Sequence, residues 1–229
     1  MRTAILLLTV MVTMLVGSGV ALAAMITCPT DPGGECRGTP QADEISGASG
    51  ADTIYALAGN DSALGGRGDD FIQGDEGNDR ELSGNQGQDE IHGGLGDDID
   101  LDGDASVDKI YGEEGNDLEL DGDKGNDELH GGPGDDGGPP TSENIRLHGL
   151  RGEGGENRVY GEDGADTINA QLTAGLGGAP ERIFGGEGND TISAADRVKD
   201  VIDCGSGLDT VVSHDAGRDV LVDCETTTP

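Results

Sequence analysis

Tryptophan is absent, and aromatic residues of any kind make up 2% of the 229-residue chain. Apolar residues reach only 33%, and many of those sit in the first 24 positions. A globular core of large interlocking side chains cannot be filled from this stock. Positive charge is equally thin: 13 Lys and Arg stand against 47 Asp and Glu, a formal net charge of −34. That balance excludes nucleic-acid binding through a basic face and electrostatic docking on anionic lipid. No G-x-S-x-G, H-E-x-x-H or P-loop motif occurs. Two classes remain: an acidic disordered chain, or a repeat whose charge bound cations neutralise.

Glycine decides between them. The chain has 43, far above the usual share of about 7%, and they fall on a nine-residue period. The clearest units are GGRGDDFIQ from Gly65, GGLGDDIDL from Gly93, GGPGDD from Gly131 and GGEGNDTIS from Gly185. Weaker copies lie between: GTPQADEIS from Gly38, GASGADTIY from Gly47, GNQGQDEIH from Gly84 and GEDGADTIN from Gly161. The shared template is G-G-x-G-x-D-x-U-x, with U aliphatic.

This pattern resembles the RTX family, the hemolysin-type calcium-binding nonapeptide repeat. The resemblance covers most of residues 38–224. It implies an all-β fold, a parallel β-roll, in which six residues turn and three form a short strand. Two repeats then make one coil, and calcium sits between successive turns on the same side. Glycines at positions 1, 2 and 4 are expected to take φ > 0, and the position-6 Asp adds a carboxylate. Two such turns offer the six to eight hard oxygens that Ca2+ takes.

The candidate ligands form two series. One runs Asp43, Asp61, Asp79, Asp98, Asp117 and Asp136, in steps of 18, 18, 19, 19 and 19. The other runs Asp52, Asp70, Asp89, Asp108 and Asp127, in steps of 18, 19, 19 and 19. Asp166, Asp190, Asp209 and Asp219 carry the pattern toward the C-terminus. From Gly74 to His130 the unit is ten plus nine residues. The extra residue departs from the family pattern and predicts a bulge stacked coil on coil. Aliphatic columns are expected at Leu82, Leu101, Leu120 and at Ile72, Ile91, Ile110, Leu129.

The expected organisation is a leader over 1–23, an N-terminal disulfide-capped segment over 24–37 and a main roll over 38–136. An irregular insertion over 137–151 follows, with 144–147 as a degenerate strand. A second, degenerate roll over 152–224 has Asn157 and Glu181 in Asp slots and a loop at 170–175. Arg2, the apolar run from Ile5 to Val16 and Ala21-Leu22-Ala23 read as a cleavable secretory signal. Beyond it, no stretch is long and apolar enough to span a bilayer. Four cysteines in an exported chain read as disulfides, locally Cys28 with Cys36 and Cys204 with Cys224.

No catalytic constellation is visible. His92 and His130 read as solvated strand-end residues, and the paired Asp runs repeat at every turn, as metal ligands would. The sequence therefore predicts a secreted, extracellular, calcium-dependent structural or adhesive module. It is expected to have no enzymatic activity, with an envelope or matrix component as its partner. A surface- or ice-binding roll is the alternative. It would need a ladder of identical outward residues, and Thr53, Thr167, Thr191 and Thr210 skip the main block. A hydrolase-associated protein with an unrecognised site is the remaining alternative.

Overall fold

The computed structural model describes residues 24–29, 33–137, 149–151, 155–170 and 180–227. The leader, the strand expected over 144–147 and nearly all of the loop at 170–175 lie outside them. Among the described residues there are 21 strands and no helix. They alternate between two all-parallel sheets, one of 11 strands and one of 10. Each strand therefore pairs with the next but one, and the chain winds as a parallel β-roll.

Register follows from one inward aliphatic per strand. In the ten-stranded sheet Ile72 pairs with Ile91, Ile91 with Ile110, and Ile110 with Leu129. In the other sheet Leu82 pairs with Leu101, and Leu101 with Leu120. All seven side chains are fully buried. The core is thus two columns only one side chain wide, continued by Ile45, Ile54, Ala63, Val159, Ile168, Ile183, Ile192, Ile202 and Val211. A chain with few large apolar residues can fill a core this narrow.

Eleven of the 21 strands are longer than the expected three residues. Glu90–Leu95 and Lys109–Glu114 each run for six, because positions 1 to 3 of the following unit pair along the stack as well. The ten-residue units place their extra residue just after the Asp. Ser62 pairs with Glu81 although Asp61 aligns with Asp79, which leaves Arg80 over. Ile99 and Leu118 repeat the same offset one and two coils on. The bulge stays at the surface, where Ile99 is 44% exposed.

Glycine serves two purposes here, not the one expected. Position 4 is left-handed, as at Gly77 with φ +143°. Position 1 is instead a close approach. A Cβ on Gly74 would lie 2.1 Å from Asp79 Oδ2.

The roll is continuous across the insertion. Strand Glu128–Pro133 pairs with Arg158–Asp163. Gly149–Arg151, expected to be irregular, bridges Glu119–Asp121 and Thr167–Asn169 in the other sheet. The two expected blocks therefore stack as one body. Cys28–Cys36 and Cys204–Cys224 are both disulfide-bonded, near the two ends of the roll.

The outer face of the ten-stranded sheet carries nearly all the aromatic character. His92, Tyr111, His130, Tyr160 and Phe184 stack with ring centroids 4.5–4.9 Å apart. Those distances match the spacing of adjacent strands, about 4.7–4.9 Å. His92 and His130 are therefore not solvated strand ends as expected. Their side chains are 18% and 20% exposed, and each ring nitrogen faces a glutamate. His92 lies between Glu90 and Glu113, and His130 between Glu128 and Glu162.

Candidate metal centre

Each coil makes two turns, and each turn ends on a slot residue that starts the next strand. At the turns into the 11-stranded sheet the slots are Asp43, Asp61, Asp79, Asp98, Asp117, Asp136, Asp166, Asp190 and Asp209. At the turns into the ten-stranded sheet they are Asp52, Asp70, Asp89, Asp108, Asp127, Asn157, Glu181, Asp200 and Asp219. Within a column one hydrogen bond repeats. The slot amide donates to Oδ1 of the slot one coil on, as from Asp79 to Asp98 at 2.8 Å and from Asp98 to Asp117 at 2.9 Å. All 15 aspartates expected from the sequence take part in these two ladders.

The second carboxylate oxygen is the informative one. In 15 slots it is buried and has no hydrogen-bond partner. Thirteen of these belong to expected aspartates, and the other two to Glu181 and Asp200. Leaving a buried acceptor unmet costs about 1–3 kcal/mol, and more when it is charged. Repeated along the whole stack, such a penalty calls for a common partner, and a cation meets the need at every slot.

Electrostatics agree. Burial pushes Asp61, Asp70, Asp79, Asp89 and Asp190 up to about 6. It pushes Asp108, Asp117, Asp127, Asp166 and Asp200 up to about 7. Asp98 and Asp136 reach about 8, where burial is followed by repulsion from slot neighbours such as Asp117. The bare array therefore resists its own charge. A hard divalent ion supplies the missing neutralisation, and these oxygens are hard ligands presented by rigid turns.

A pH prediction follows. These carboxyls hold protons more tightly in the metal-free fold than in the unfolded chain. The stability they contribute is therefore fully present below about pH 4 and is lost as pH rises through 6–8. In EDTA, circular dichroism should show more β-structure at pH 5 than at pH 8. Calcium should add most at pH 8. The reverse order would contradict the burial of these groups.

The ends of the ladders differ from the middle. Asp43 Oδ2 accepts from the Thr39 amide, and Asp219 Oδ2 accepts from the Asp215 amide. Glu225 closes the first column by accepting from the Asp209 amide. Asp200, absent from the expected ligands, lies 19 residues from both Glu181 and Asp219. That spacing was its only signal, because Ser193–Lys199 has no glycine.

Two outward features lie apart from the slots. Asp102, Asp104 and Asp123 bring carboxylate oxygens within 4.8 Å of one another on the 11-stranded sheet. Burial, then Asp104, pushes Asp102 up to about 8. Thr167, Thr191, Thr210 and Thr226 are in register on that same sheet, whereas Thr53 lies on the other. The threonine ladder is therefore real but confined to the last coils.

A family model described as the RTX calcium-binding nonapeptide repeat (4 copies) matches residues 37–72, 55–80, 64–100, 83–119, 119–137, 150–172 and 177–196. No curated protein and no solved structure matches the chain. The matched spans take in more than half of the chain and most of the slots described above, so the protein belongs to the RTX calcium-binding nonapeptide repeat family, whose repeats bind calcium.

Proposed function

We propose that this protein is an exported structural or adhesive module that calcium folds into a rigid roll outside the cell, with no catalytic role of its own. The sameness of the slots carries this reading. The 15 orphaned oxygens repeat coil after coil, whereas acid–base catalysis needs two groups in unlike surroundings. Disulfides near both ends fit an oxidising compartment, and the first 23 residues read as a secretory signal. The partner is an envelope or matrix component that recognises the calcium-loaded surface.

A pull-down from the native secretome, with calcium and with EDTA, tests this. An envelope or matrix component should be retained only with calcium. Recovery of the protein in the cytosol with four titratable thiols would defeat the export reading. Turnover of a substrate by the purified roll would defeat the non-catalytic one.

A further inference from the structure

One interior slot breaks the rule. Asn157 is 1% exposed and sits in its column as the aspartates do, accepting from the Asp127 amide through Oδ1 at 2.8 Å. Where its neighbours in the column place a bare carboxylate oxygen, Asn157 places Nδ2, which donates to Glu181 Oε1 at 3.5 Å. An amide N–H points partial positive charge into the space a cation would use.

The surface outside this rung is unusual for so acidic a chain. Arg158 and Arg182 are register partners in the ten-stranded sheet. With Lys199 they line an open cleft of about 260 Å³ that also touches Asn157 and Glu181. Three basic side chains therefore gather, with Glu156 among them, where the slot has lost its own negative charge.

We infer that Asn157 is a calcium-free rung, occupied by its own amide, which interrupts the calcium array of this column. The inference rests on the calcium reading of the other slots. It assigns Asn157 the part of a gap and not of a weak ligand, although Oδ1 is a possible calcium donor in chemical terms. The interruption falls beside the insertion, where the coil step lengthens to 30 residues on one side and 24 on the other.

Counting calcium per chain by native mass spectrometry at saturating calcium tests it, on the full exported chain and three variants. Asn157→Asp should gain one ion, because it restores an orphaned oxygen. Asn157→Ala should keep the wild-type count, because no ion is held there. Asn78→Asp, which adds the same charge at an exposed position outside the slots, should also keep it. An unchanged count in Asn157→Asp, or the loss of one ion in Asn157→Ala, overturns the inference while leaving the array intact. If Asn157→Asp does not fold, the Asn157→Ala count still decides. A wild-type chain that carries no calcium overturns both this inference and the reading of the whole array.

Discussion

Adding EDTA to the calcium-loaded protein should collapse its β-sheet circular dichroism toward that of an unfolded chain, and excess calcium should restore it. Fifteen buried carboxylate oxygens have no partner within the protein. At about 1–3 kcal/mol or more each, their combined penalty exceeds the roughly 5–15 kcal/mol by which an ordinary domain is stable. The core of two aliphatic columns must also offset the entropy of ordering each coil, about 1–2 kcal/mol per residue for the backbone, and leaves no surplus for the orphaned oxygens. Metal-free chains at neutral pH must therefore unfold or take up protons. Calcium removes the penalty, so its binding energy becomes folding energy. Each interior slot residue is hydrogen-bonded to the slots above and below it. Sites should therefore fill cooperatively, and the titration should be steeper than a single-site curve. A metal-free spectrum already rich in β-structure at pH 8, and unmoved by millimolar calcium, would show that packing and disulfides suffice.

Gly77→Ala should be among the most damaging single methyl additions in the chain. The residue has φ +143°, and an added Cβ would lie 1.5 Å from the Gly59 carbonyl oxygen. That carbonyl cannot retreat, because the Gly59 amide is bonded to Glu76 O at 2.8 Å in the same stack. Clash and backbone strain act together, and a loss above about 4 kcal/mol is expected, at the severe end for point mutants. Gly217→Ala is the control. Its φ is +81°, and nothing lies within 4 Å of the added atom, so it should cost about 1–2 kcal/mol. Urea midpoints in saturating calcium would compare the two. Equal midpoints would mean that the coils are not in the close contact described here.

Periodicity made most of this architecture legible. The spacing of Asp43 to Asp136 and Asp52 to Asp127 identified both ladders, because a coil of fixed length repeats in sequence what it repeats in space. The aliphatic columns followed from the same arithmetic. Legibility failed where glycine disappeared. Asp200 follows Ala194-Ala195-Asp196-Arg197-Val198-Lys199, a turn without the template, yet its amide-to-carboxylate bond is the same as its neighbours'. The stacked histidines were missed for a different reason. Their slot faces outward, and a single strand does not reveal that Tyr111 and Tyr160 arrive on either side of His130. Only the register of the sheet brings those rings together.

The lengthened step beside Asn157 also bears on what the roll could carry. Asp127 bonds to Asn157, and Asp136 to Asp166, across 30 residues where 18 or 19 serve in most coils. Leu129 still faces Val159 in ordinary register. Coil-to-coil fit is therefore indifferent to how much chain lies between two rungs. Doubling the length of a flexible connection costs only about 0.6 kcal/mol in closure entropy. Chain inserted at this edge leaves the ladders beneath it aligned. The roll is in that sense a rail, whose pitch is set by strand pairing and not by the length of chain between rungs.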